Sequence, residues 1–517
     1  MVATKAPHLQ LVKNSVASKN GRDTADVMEA LAGTPDAATG FSLLSAWSKR
    51  GAGNELPADE LENAMKRGGN EVLRRLFEEA LAMRGTGHVG STTERFDGLV
   101  LTESRVHGIA YESVFGRVKI TRQAYSASGE DSIHPLDEKL NLPQRLYSYP
   151  VQKMVALAVA RGPYGEAVQQ VDTQTAAHVP LRQMQTIAKD AARHFDAFYQ
   201  QRSSVAVKVA RASGSIVVGG VDCKGIPRRR TAEELQEGRS AHLAPGEKPT
   251  KKKMATVASI HTTEPHYRTA DHVVAQLMDA MTPVGMQARP APEQRRLFAS
   301  AQKSKDEVIK ELGEEMTRRD PYECKTHVCL MDGERALQDR TARHLLATIP
   351  ALLIILDIFH VLGYLWKAAW AFHPGRPDDA KTWVRDHLRA LLVGGNAATV
   401  AAGIRQSATK RHLRGNRRKA VDKTCNYILN NQDYMRYDQY LAKGLPIASG
   451  SVEGACGHLV KDRMERTGAL WHVPGDGSEA VLRLRAIDKS GDWEDYWTFH
   501  IQAEHDRLYA ATMKAAA

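Results

Sequence analysis

The chain has 517 residues, enough for two to four domains. Its 71 Lys and Arg outnumber its 60 Asp and Glu, and the formal charge of +11 points to a polyanionic partner, most simply nucleic acid. Five scattered cysteines with no CxxC pair argue against a disulfide framework and a structural zinc site, and fit a reducing cytoplasm.

Residues 1–55 are rich in small and polar types with little hydrophobic periodicity, and read as a flexible arm. From Leu56 to Arg84 apolar residues return at helical spacing. The period then changes. Leu99 to Thr102 and Gly116 to Arg122 read as strands of a small β element. Tyr147 to Tyr199 is helical again. Within it, a helix over Gly165 to Val171, a break, and a second helix opened by Pro180 form a candidate helix-turn-helix over 163–193. Its second helix carries Arg182, Gln183, Gln185 and Lys189, residue types that read base edges or grip phosphates. An ordinary helical hairpin with a solvated face explains them equally well.

The central stretch is Ser215 to Asp222, a β-branched run that stops on an acid before Gly225 and Pro227 break it. An acid at the end of a buried strand is costly to desolvate without a compensating cation or donor, although capping a turn is the commoner use of Asp. A basic loop follows. Arg228, Arg229 and Arg230 at one end and Lys251, Lys252 and Lys253 at the other offer phosphate contacts. Met254 to His261 reads as the next strand and Ala301 to Arg319 as helix. Val328 to Asp332 is a second strand ending on an acid before a glycine, Ala336 to Leu346 a helix, and Leu352 to His360 a third strand. Strand, helix and strand in alternation predict an α/β sheet with at least a parallel part.

From Leu362 to Leu441 the pattern is helical, with Trp366, Trp370 and Trp383 among apolar residues. Core packing is the favoured use of these tryptophans, stacking on a displaced base the alternative. Ser449 or Ser451 then caps a helix that places Glu453 in its first turn, where an anion is favoured. Lys461 and Arg463 lie further along it, in reach of a phosphate near Glu453. Cys223 and Cys456 read as packing residues. The apolar run over 351–372 carries Asp357, His360 and Lys367, so it reads as core. The N-terminus shows no apolar signal core, and neither a membrane partner nor an exported protein is expected.

Asp222, Asp332 and Glu453 are too far apart in sequence to meet except in the folded chain. Three converging carboxylates repel one another and coexist ionised when divalent cations lie between them. Two such cations, about 3.5–4 Å apart, activate a hydroxyl and stabilise the leaving oxygen in phosphodiester transfer.

The chain resembles bacterial insertion-sequence transposases of the Asp-Asp-Glu superfamily, in the ISKra group, distantly similar to Mutator-like elements. The resemblance covers about residues 60 to 505 and is specific in the C-terminal two thirds. The stretches that carry it are Val221-Asp222-Cys223-Lys224-Gly225, Leu330-Met331-Asp332-Gly333, Ile355 to Trp370, Ile447 to Cys456, and Ser490 to His500.

The resemblance implies an RNase H-like mixed sheet with helices, interrupted by an all-helical insertion and preceded by a mostly helical region. It implies an N-terminal DNA-binding region over 56–200, a catalytic domain split into 201–361 and 446–517, and an insertion over 362–445. It implies cleavage and strand transfer at the ends of an element in double-stranded DNA with two Mg²⁺ ions, for which Mn²⁺ can substitute. The protein would act as a homodimer or higher oligomer in the cytoplasm, on the nucleoid. Asp222, Asp332 and Glu453 take the catalytic, metal-holding positions. Asp357 competes with Asp332 for the second. However, Asp357-x-x-His360 looks like the Cys/Asp-x-x-His motif of Mutator-like transposases, which assigns Asp357 and His360 to support.

Overall fold

The computed structural model describes residues 27–50, 52–210, 213–230, 251–282, 285–394, 396–473 and 475–510. It divides into two compact units, one up to His194 together with the segment from Trp497, the other from Phe195 to Tyr496.

In the first unit, helix α1 (Ala37–Arg50) packs on helix α2 (Ala58–Ala82). The flexible arm expected over 1–55 is therefore corrected in its described part, while residues 1–26 lie outside the described residues. Val27, Leu31 and Leu44 bury together, and Gly68 of α2 lets them approach, since a Cβ there would stand 2.7 Å from Leu44 Cδ1. Few apolar residues suffice when a glycine removes the spacing between helices.

Strand pair β1 (Thr93–Glu94) and β2 (Val100–Leu101) is short. The larger element is the antiparallel hairpin of β3 (Glu103–Ser113) and β4 (Gly116–Ser126). The strand read at Leu99 to Thr102 thus lies mostly in residues 103–113. Their polar, outward-facing first half hid the alternation. Helices α3 (Pro135–Lys139), α4 (Tyr149–Arg161), α5 (Tyr164–Gln174) and α6 (Leu181–Ala191) follow. Met184, Ile187, Ala188 and Ala191 of α6 turn inward.

The second unit opens with α7 (Phe195–Ala210) and is built on a five-stranded mixed sheet. Its strands are β5 (Ile216–Pro227), β6 (Lys252–Thr263), β7 (Glu293–Ser300), β8 (Thr326–Met331) and β9 (Leu353–Leu356), in the order β7-β6-β5-β8-β9. β5, β6 and β7 pair antiparallel, whereas β5, β8 and β9 run parallel. Helix α8 (Ala270–Asp279) separates β6 from β7, α9 (Lys305–Arg318) separates β7 from β8, and α10 (Arg335–Thr348) crosses over from β8 to β9. The helices α11 (Ile358–Phe372), α12 (Pro377–Leu392), α13 (Ala397–Lys410), α14 (Gly415–Asn430) and α15 (Tyr437–Ala442) share one apolar core with β8 and β9.

Gly219 and Gly220 explain how helices reach both faces of β5, because neighbouring strand residues point to opposite faces. A Cβ at Gly219 would stand 2.9 Å from Met316 Sδ of α9. One at Gly220 would stand 3.1 Å from Val452 Cβ, on helix α16 (Gly450–Ala455). After α16 the helix widens into a π turn over Cys456–Lys461 and resumes over Asp462–Met464. Helix α17 (Asp476–Ser490) then packs on β7. No described helix is long and apolar enough to cross a membrane.

Candidate active site

Asp222 does not end its strand. The antiparallel ladder to β6 continues to Pro227↔Lys252 and holds β5 extended through Asp222, which pairs with Val257. What stops is the parallel ladder to β8, whose last pair is Gly220↔Leu330. Asp222 therefore stands two residues past the last residue paired to β8. It shares the strand face of Gly220, toward α16 and its π turn. Its Oδ2 accepts from Cys456 Sγ at 3.2 Å and its Oδ1 from the Cys223 amide at 2.6 Å.

Asp332 is the first residue after β8. Its turn needs Gly333, which has φ +83° and whose Cβ would meet the Tyr427 hydroxyl at 2.8 Å. That hydroxyl donates to the Asp332 carbonyl at 2.7 Å, so α14 fixes the turn. The carboxylate accepts from the Glu334 amide at 2.9 Å. Burial pushes its pKa above the ordinary value, and the charge of Asp222 adds to this against the Glu334 N–H and the His360 imidazole.

Residues 357–360, read as strand, instead start α11. Asp357 is its N-cap, because β9 ends at Leu356 and the Asp357 side chain accepts from the Phe359 amide at 3.1 Å. Asp357 is fully buried and takes part in three hydrogen bonds. Its Oδ1 also accepts from the Ser449 amide at 3.1 Å, and its Oδ2 meets His360 Nδ1 at 2.7 Å. These bonds hold its carboxyl below the ordinary range although burial opposes them, and the same pairing raises the His360 pKa.

Glu453 lies in the first turn of α16 and is half-exposed. Its Oε1 accepts from Ser449 Oγ and lies 3.8 Å from His360 Nδ1. Its Oε2 is buried without a hydrogen-bond partner. Burial and the charge of Asp357 push its pKa up to about 7, against the Ser449 hydroxyl and His360. One ligand atom each of Asp357, His360 and Glu453 lies within 4.8 Å of the other two. Among the described residues that trio does not include Asp222 or Asp332; Asp222 bonds Cys456, whose thiol burial and the Asp222 charge keep protonated, and its charge raises the Asp332 pKa.

These side chains fit a divalent cation. The donors are carboxylate oxygens and one imidazole, one buried carboxylate oxygen lacks a hydrogen-bond partner, and burial with the charge of a neighbouring acid holds Asp332 and Glu453 above their ordinary pKa. The sequence missed Ser449 as a partner of Glu453, although a hydroxyl four residues before a helical acid is a readable signal. It also missed Tyr427 and the thiol bond of Cys456, for which no local signal exists.

The basic residues are more dispersed. Arg182, Gln185 and Lys189 are exposed on α6 and Gln183 is half-buried. Arg228 and Arg230 are half-buried, while Arg229, Lys251, Lys252, Lys253 and Lys461 are exposed, with Lys252 paired to Glu465. Arg463 is a correction. It is 3% exposed, and its guanidinium covers the Trp471 ring at 4.9 Å, so it faces the core rather than a phosphate.

No family model matches the chain, and no curated protein matches it. Among solved structures, a Drosophila P element transposase strand transfer complex overlaps 70% of this chain and 81% of that chain at 9% identity and a TM-score of 0.25. An overlap that loose carries no weight for fold or function.

Proposed function

We propose that this protein is a DNA transposase that binds the ends of an insertion sequence and catalyses metal-dependent strand cleavage and strand transfer. The observation that supports the reading is the buried, unpaired Glu453 Oε2 in a region where acids act on one another, the Asp222 charge raising the Asp332 pKa and the Asp357 charge that of Glu453. The sheet order, with three antiparallel strands and two parallel ones, supports an RNase H-like catalytic domain, and the helices from α11 to α15 support an insertion between its second and third acids.

In this reading Asp222, Asp332 and Glu453 hold Mg²⁺. When bound, the ions polarise the scissile phosphate and lower the pKa of the attacking hydroxyl. Asp357 already accepts from the Phe359 and Ser449 amides and meets His360, so it takes the supporting role rather than that of a ligand. It ties the start of α11 to the start of α16 and orients His360, whose pKa the same pairing raises, beside Glu453. Double-stranded DNA is the substrate, and pairing two element ends calls for at least a dimer.

The test is cleavage and joining of the element's own ends with Mg²⁺. Asp222→Ala, Asp332→Ala and Glu453→Ala each lose product by about 10³-fold or more. Asp357→Asn keeps residual cleavage, lowered by about 10- to 100-fold. Asp357→Asn proving more damaging than Asp332→Asn would reverse the two roles. Cutting without joining favours a nuclease or resolvase on the same acids, and DNA binding indifferent to all three substitutions favours a catalytically silent binding protein.

A further inference from the structure

A cavity of about 380 Å³ is lined by the first turn of α11 and by the segment before Ser449, the same two segments that carry Asp357, His360 and Ser449. Ile358 and Phe359, between Asp357 and His360, form part of its wall, as do Ile447 and Ala448, just before Ser449. Arg268 and Arg289 also line it.

These arginines are uncompensated. Arg268 Nη2 donates to the Leu445 carbonyl at 3.0 Å, but its Nε is buried without a partner, and no acid pairs with either arginine among the described residues. Burial and repulsion from Arg289 pull the Arg268 pKa down to about 10, the mark of a cation short of an anion. The two histidines on this wall add no charge. Burial lowers His261 to about 4, and it also lowers His266, whose Nε2 meets the Gln287 carbonyl at 2.9 Å. The lining acid, Glu264, is exposed and accepts from Ser215 Oγ at 2.9 Å. Two guanidiniums thus face one carboxylate. Phe359, 49% exposed, offers an aromatic face on the wall nearest the acids.

We infer that this cavity receives one nucleotide unit of the DNA strand engaged by the acid cluster, its phosphate held by Arg268 and Arg289 and its base resting on Phe359. Guanidiniums match phosphate with forked, charge-assisted bonds, and an aromatic face stacks any base. The volume falls in the range that encloses a small ligand. A strand is favoured over a free nucleotide because the walls continue into the loops that carry Asp357, His360 and Ser449. The inference rests on the DNA reading above.

The experiment is arginine modification of the full chain with phenylglyoxal, read peptide by peptide by mass spectrometry, with a single-stranded oligonucleotide, AMP or inorganic phosphate as protectant. Fluorescence polarisation on the same oligonucleotide compares wild type with Arg289→Gln, an exposed site whose change leaves the fold intact, and with Phe359→Ala. The oligonucleotide is expected to protect Arg268 and Arg289 far better than AMP or phosphate. Arg289→Gln is expected to weaken binding about 10-fold and to reduce the salt slope by about one. Protection by AMP or phosphate but not by the oligonucleotide would overturn the inference in favour of a free phosphate ligand. No protection, with unchanged binding by both variants, would overturn it outright. Protection without metal-dependent cleavage would sink the transposase chemistry and leave the nucleotide cavity standing, whereas cleavage without protection would do the reverse.

Discussion

Two buried charge clusters in the second unit are built on opposite rules. On one, Arg296 is 4% exposed and bonds Glu315 and Glu311 at 2.7 Å each, with Arg318 and Arg319 closing on Glu315 and the Tyr199 ring 3.9 Å away. Every charge there meets an opposite one. In the other, Asp332, Asp357 and Glu453 act on one histidine, and Glu453 Oε2 has no hydrogen-bond partner. A balanced network ties β7 to α9 and holds the fold. A surplus of one sign costs stability and persists where a ligand supplies the missing charge.

The largest effect should come from breaking the balanced side. Arg296→Met removes the buried guanidinium that bridges Glu311 and Glu315, which keep Lys303 and Arg318 with Arg319, and is expected to cost about 2–3 kcal/mol in chemical denaturation. A loss under about 1 kcal/mol would show the network to be ornamental.

Acid should find the same cluster. Burial alone would raise Glu315, but Arg296 and Arg319 overcome it and hold its pKa at about 2, below its ordinary 4.5. The folded value is depressed, so the stabilisation is complete above 4.5 and is lost as pH falls through 4.5 toward 2. It amounts to roughly 3 kcal/mol. Arg296→Met should flatten this limb of the stability–pH curve.

The unbalanced side should respond with the opposite sign. Glu453, raised to about 7, contributes stability that is complete below its ordinary 4.5 and lost as pH rises through 7. Glu453→Gln should therefore raise stability at pH 8 by about 1 kcal/mol, discounted for its half-exposure, while removing cleavage. Destabilisation at that pH would argue that the carboxylate is structural. For the same reason Mg²⁺ should raise the Tm of the wild type more at pH 8 than at pH 6, and this difference should vanish in Glu453→Gln.

The smallest effect marks the exposed limit. Arg335 and Asp339 pair at 3.9 Å with 74% and 62% of their side chains exposed. Asp339→Ala should change stability by less than about 0.5 kcal/mol.

Much of this was legible along the chain. The period of the hydrophobic pattern located α2, α9, α10 and the helices from α11 to α15, and the β-branched runs located the cores of β5, β6 and β8. Element ends were harder. Asp222 read as a strand terminus because Gly225 and Pro227 are breakers in isolation, yet pairing with β6 overrides them. Asp357 and His360 read as strand because their neighbours are apolar, whereas the N-cap bond to Phe359 makes them the first turn of a helix. Arg463 read as a phosphate ligand because it is a cation on a polar helix, and only packing turned it toward Trp471.

The sequence by itself determined which acids are present and that Asp332 and Glu453 lie at or near the edge of a regular element, since local residue types set where strands and helices begin. Tertiary structure alone decided how they are shared. Asp357 became a clamp, Glu453 kept an unpaired oxygen, Asp222 bonded a thiol 234 residues away, and two arginines came to line a cavity with a single acid. Hydrogen-bond saturation and charge balance are properties of a three-dimensional neighbourhood, and no local pattern in the chain encodes which distant groups will share it.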